Sequence, residues 1–118
     1  MTEPEQKVAM LRELFHKELV QLQDEVLVLG SMAEKAVMDA MEALRDGDQR
    51  WSQKIINEDV AINRKRFEIE DRCVFVMASQ QPMANDLRAL VSILYIITDI
   101  ERIADHAEGI AKINILLG

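Results

Sequence analysis

Ala40-Met41-Glu42-Ala43-Leu44-Arg45-Asp46-Gly47-Asp48-Gln49 is the stretch that decides the fold. An apolar seam ends within it, Gly47 supplies a left-handed turn, and Asp48 can cap a following helix. Backward from this corner, Val8, Leu11, Phe15, Leu19, Leu22, Val26, Leu29, Ala33, Ala36, Ala40 and Leu44 recur at three- and four-residue steps. That is the period of one helix face. Thr2-x-x-Glu5 has the form of a capping box and Pro4 suits a helix start. One helix over about residues 4–46, roughly 60 Å long, is therefore predicted. Gly30 within it predicts a bend or a close helix contact, at a cost of about 1 kcal/mol relative to Ala.

Forward from the corner, Ile55, Ile62, Ile69 and Val76 fall seven apart, with Cys73 and Met77 beside them, which places a second helix over about residues 49–79. Gln80-Gln81-Pro82 breaks it, and Pro82 suits the first turn of a third helix over about residues 82–117. Leu90, Ile93, Ile97, Ile100, Ala104 and Ala107 make one stripe of that helix, and Ile96, Ile103, Ile110 and Leu117 make another edge. A helix apolar on two sides is covered on two sides. Short corners force antiparallel neighbours, so residues 1–118 read as one all-α domain, an elongated antiparallel three-helix up-down-up bundle. The surplus edge on the third helix predicts self-association into a homo-oligomer.

The 118 residues are 49% hydrophobic and 30% charged, with a formal charge of −7. That charge opposes binding to nucleic acid and to anionic lipid. A single cysteine, Cys73, allows no internal disulfide and fits a reducing compartment. Met1-Thr2-Glu3-Pro4-Glu5 is not a signal peptide, and the longest apolar run, Leu90 to Ile97, falls short of the roughly 20 residues of a membrane span. A cytoplasmic protein without membrane insertion is expected.

The chemistry lies in a polar stripe beside the seams. Glu101 and Asp105 stand four apart on the third helix, and Asp59 and Asn63 have the same spacing on the second, where Arg66 and Glu70 continue the face. Two such pairs on antiparallel neighbours can converge as oxygen ligands for Mg²⁺, Mn²⁺, Ca²⁺ or oxidised iron, with Asp99 and Glu108 assisting from the flanks. The alternative is a solvated acidic face neutralised by Arg64, Arg66, Arg88 and Arg102. Glu101 and Asp105 interrupt the most apolar helix, where an unpaired carboxylate is costly, and this favours metal.

Gln80-Gln81-Pro82-Met83-Ala84-Asn85-Asp86-Leu87-Arg88, followed by Asp99-Ile100-Glu101-Arg102-Ile103-Ala104-Asp105-His106-Ala107, resembles the PhoU family. Ile55-Ile56-Asn57-Glu58-Asp59-x-x-Ile62-Asn63 and the Ala40–Asp48 corner carry the same resemblance, which covers nearly the whole chain. It implies a non-enzymatic negative regulator of phosphate-starvation signalling, linking the phosphate ABC transporter to a sensor histidine kinase. It also implies iron or zinc clusters, with Mn or Mg as further options, held by acidic four-residue motifs. Here those motifs fall on Glu101-x-x-x-Asp105 and Asp59-x-x-x-Asn63. Asn63 stands where the family usually has Asp, which removes a charge from that pair. The family also has two tandem three-helix repeats where this chain has one, so the metal can be absent from the single repeat. The Gly118 ending fits half of a longer protein or a natural half-length one.

Two other readings stay open. One is a metal-free helical interaction module. The other is a carboxylate-bridged di-iron oxidase, for which Glu13 and His16 supply one E-x-x-H motif and a dimer would supply the second. Asp86 complements the dipole of the third helix, and Arg88 is placed to pair with an acid on the second; both are candidate partner contacts by resemblance. His106 reads as a partly exposed histidine without a role. Met32, Met38, Met41, Met77 and Met83 read as gap-filling core residues, and Trp51 as a seal for the bundle end. Cys73 lies on a core seam, and nothing supports nucleophilic catalysis.

Overall fold

Thr2 opens the first helix through a reciprocal capping box: the Glu5 amide donates to Thr2 Oγ1 at 3.3 Å, and the Thr2 amide donates to Glu5 Oε2 at 3.2 Å. The computed structural model describes residues 2–118. Among them α1 spans Glu3–Asp46, α2 Gln49–Gln80 and α3 Ala84–Leu117, with no strand. They form an all-α bundle of 70 × 18 × 16 Å in which each helix packs against both others.

The first corner works as its residues dictate. Gly47 adopts φ 65°, where a Cβ would be strained, and its amide donates to carbonyls of the last α1 turn. Asp48 caps α2 by accepting from the Trp51 amide at 3.0 Å. The second corner differs from the sequence expectation. Gln81 takes the left-handed conformation (φ 46°) that ends α2, and α3 begins at Ala84 behind an N-cap Met83 with no side-chain cap. Pro82 lies in the short connection between α2 and α3, before the first turn of α3.

The core is two clusters along one axis. Phe15, Leu22, Leu29, Ile62, Ile69, Cys73, Leu90 and Ile97 anchor the larger; Ala40, Ala43, Ile55, Ala107 and Ala111 form the smaller, against which Trp51 is half-buried. Small residues bring the helices close at that end. Val8, Leu11 and Leu44 of the sequence seam are exposed, and Ala43 takes the buried place instead of Leu44. Of the methionines, Met32 and Met77 pack on the core, whereas Met38, Met41 and Met83 face solvent. Gly30 is not a forced contact: an added Cβ would meet only Ile100 Cδ1, at an ordinary 3.9 Å. Ile96, Ile103 and Leu117 are exposed along α3, and Ile110 is half-buried.

The smaller cluster holds a polar knot that the sequence pattern does not announce. Asn114, 4% exposed, donates from Nδ2 to Ser52 Oγ (2.8 Å), the Ala43 carbonyl (3.0 Å) and the Asp48 carbonyl (3.3 Å). One α3 amide thus ties the end of α1 to the start of α2.

Candidate metal centre

On α3, Glu101, Asp105, Glu108 and Lys112 follow steps of four, three and four, which sets them on one side of the helix. They face Asp59, Asn63, Arg66 and Glu70 of α2, themselves spaced on one side. A base closes each end of this polar seam. Arg66 Nε lies 2.7 Å from Glu101 Oε2 and Arg66 Nη1 lies 3.0 Å from Glu70 Oε2. At the other end Lys112 Nζ lies 2.5 Å from Glu108 Oε1.

Between the two bases, carboxylate oxygens of Asp59, Asp105 and Glu108 all lie within 4.8 Å of one another. Asp59 is 7% exposed. Its Oδ2 accepts from Asn63 Nδ2 at 3.2 Å, while no N–H of the described residues donates to its buried Oδ1. Burial above all, then the adjoining Glu108 and Asp105 carboxylates, push the Asp59 acid up to about 7 against the small opposing pull of Asn63. Glu108 is held below its usual value, first by hydrogen bonding with Asp59 and then by Lys112. Of this coupled pair, Asp59 is therefore the acid that keeps its proton further into the neutral range, and Glu108 the one that stays charged.

Of the four acids and amides expected to converge, Asp59 and Asp105 do so. Asn63 adjoins them as a donor, and its own buried Oδ1 has no partner. Glu101 is drawn off by Arg66, and Glu108, expected only at the flank, completes the triad. Glu70 belongs to the Arg66 pair, and Asp99 faces solvent 3.9 Å from Arg102. A cleft of about 260 Å³ reaches Asp59 and Glu108 between Met32, Lys35 and Asp39 of α1 and Glu58 of α2. Three carboxylates, one with a buried oxygen that receives no N–H donor, suit a hard or borderline divalent cation, which would offset most of their charge. Glu108 is legible in hindsight, because it lies three residues after Asp105 on the same helix side.

The remaining sequence candidates stand apart. Glu13 and His16 are exposed on α1, in a depression shared with Arg12 and Lys17. Asp86 lies in the first turn of α3, and Arg88 is exposed, with no ion pair to α2 among the described residues. Cys73 is fully buried and its thiol is pushed up to about 11 by that burial, which suits a packing role.

A family model described as PhoU domain matches residues 26–113. A phosphate-specific transport system accessory protein PhoU homolog of Clostridium acetobutylicum is 43% identical over 104 residues, covering 87% of this chain and 48% of that protein. Its namesake from Pseudomonas aeruginosa is 38% identical over 98 residues, covering 83% and 40%. Among solved structures, PhoU from Pseudomonas aeruginosa superposes with a TM-score of 0.83 at 38% identity, over 87% of this chain and 49% of that one. The phosphate transport system regulatory protein PhoU from Streptococcus pneumoniae gives 0.80 at 37% identity, over 85% and 47%. The chain spans about half the length of the curated relatives it matches. Three helices with these corners, this polar seam and these likenesses lead to one assignment: the chain belongs to the PhoU family.

Proposed function

We propose that this chain is a non-enzymatic accessory of bacterial phosphate uptake that acts in the cytoplasm. It restrains phosphate-starvation signalling by linking the phosphate ABC transporter to its sensor histidine kinase, and it carries a divalent or ferric ion at Asp59, Asp105 and Glu108. The names of the relatives support the transport role. No helix among the described residues is long and apolar enough to cross a membrane. The observation that carries the metal reading is Asp59 Oδ1, buried, receiving no N–H donor and beside two further carboxylates. Iron or zinc follows from the family resemblance; Mn²⁺ and Mg²⁺ suit an all-oxygen set.

A thermal melt in chelator, and then with Fe, Zn, Mn or Mg added, tests the metal. A rise of several degrees is expected in wild type, as ligand linkage requires, and no rise in Asp105→Ala. Equal rises in both proteins would remove the site assignment. The exposed Ile96, Ile103 and Leu117 support a homodimer as well. Light scattering at tens of micromolar, on the order of the concentrations that populate such contacts, should give twice the chain mass; the mass of one chain would refute it.

The Arg66–Glu101 pair favours a second reading. With one expected ligand already neutralised, the seam can serve as a metal-free interaction surface. Identical melts with chelator and with every metal would select it.

A further inference from the structure

Lys112 stands out in the polar seam because the base at the other end behaves differently. Arg66 is mostly buried and held by two acids at once, so it is fixed. Lys112 has a side chain 59% exposed and pairs only with Glu108, one of the three converging carboxylates. It lies four residues after Glu108 and seven after Asp105, so its stem runs along the same helix side toward the triad. Asp105 forms no ion pair with any described residue, and no N–H of the described residues donates to Asp59 Oδ1. Among the described residues Lys112 is therefore the cation that pairs with the triad, Lys35 across the cleft being held by Asp39. It can withdraw into water at little cost because it is long, flexible and already half in solvent.

We propose that Lys112 is a tethered internal cation that holds the Asp59–Asp105–Glu108 triad in the metal-free chain and is displaced when a divalent ion binds. This rests on the metal reading above and adds its regulation. Metal entry becomes an exchange of one ammonium, together with the proton on the Asp59 carboxyl, for one divalent ion. The ammonium released at the α3 surface changes the charge pattern beside the cleft, so the two states differ outside the site as well as within it. An exposed lysine paired by chance would have neither consequence.

The test compares the full chain with Lys112→Met, which keeps the stem and removes the charge, using Mn²⁺ and Zn²⁺ in calorimetric titrations at low ionic strength. Lys112→Met is expected to bind about three- to tenfold more tightly, the range for relieving one partly screened like-charge contact. The difference should shrink as salt is raised. A second readout needs no affinity: in chelator Lys112→Met should melt below wild type, because the triad has lost its counter-charge, and in saturating Mn²⁺ the deficit should vanish or reverse. Equal affinities within twofold together with parallel melts would overturn the exchange and leave the metal site standing. Binding by Lys112→Met alone would support the exchange most strongly. If neither protein binds Mn²⁺ or Zn²⁺, the metal reading falls and the exchange falls with it.

Discussion

Asn114→Asp is expected to lower the melting temperature by about 10 °C, although it changes the side chain's shape hardly at all. The Asn114 amide, itself buried, donates to two carbonyls and one hydroxyl at the end of the bundle. A carboxylate there has no hydrogen to donate and faces the same two carbonyl oxygens. The lost bonds and the desolvated charge together cost about 2–4 kcal/mol, and 1 kcal/mol moves the midpoint of a domain this size by about 4 °C. Asn114→Ala should lose a comparable amount, through three missing bonds and a small cavity. Melting both variants at pH 7.5 decides it: if Asn114→Asp melted with wild type, the donor role would be wrong. Far-UV dichroism should show both variants still helical in the cold, because the larger cluster around Leu22, Ile69 and Leu90 is untouched.

The second large effect is a dependence on pH. Asp59 has a folded value of about 7 against an ordinary 3.8. Below the ordinary value both folded and unfolded chains hold the proton, and the group contributes nothing. Between about 4 and 7 the unfolded chain releases that proton while the folded chain keeps it, so stability falls as pH rises, by an amount on the order of 3–4 kcal/mol before levelling above 7. Glu108 acts in the opposite sense. Its depressed value contributes stability above its ordinary range that is lost as pH falls, and this trims the acidic side of the curve. In chelator, the metal-free chain is therefore expected to be most stable near pH 5 and to lose several degrees by pH 8. Asp59→Asn keeps the shape, has no charge to bury and should remove most of that decline. Parallel pH profiles for the two proteins would show that Asp59 is not the group responsible.

The same residues show how far sequence reading reaches. The seams, the Gly47–Asp48 corner and the Thr2–Glu5 box are local: each is set by residues a few positions apart, through helix period, turn conformation and capping. The bundle and its antiparallel order follow from them. Leu44 and the methionines Met38, Met41 and Met83 are exposed against expectation because period alone does not say where a long helix runs past its neighbours, nor which of two adjoining apolar residues turns inward. Asn114 and Ser52 gave no signal at all, because their partners lie 62 or more residues away along the chain.

The sequence by itself determined three helices, their order, a family, and an acidic face on α2 and α3. Only the tertiary structure decided which acids on that face share a site. Spacing ranks Glu101 and Glu108 alike as neighbours of Asp105. Packing brings Arg66 of α2 beside Glu101 and leaves Glu108 beside Asp59, paired with Lys112. The physical reason is that helix period is a property of one chain segment, whereas the pairing of charges across two helices depends on their axial register. Core packing of Ile55, Ile62, Ala104 and Ala107 sets that register, and the charges follow it.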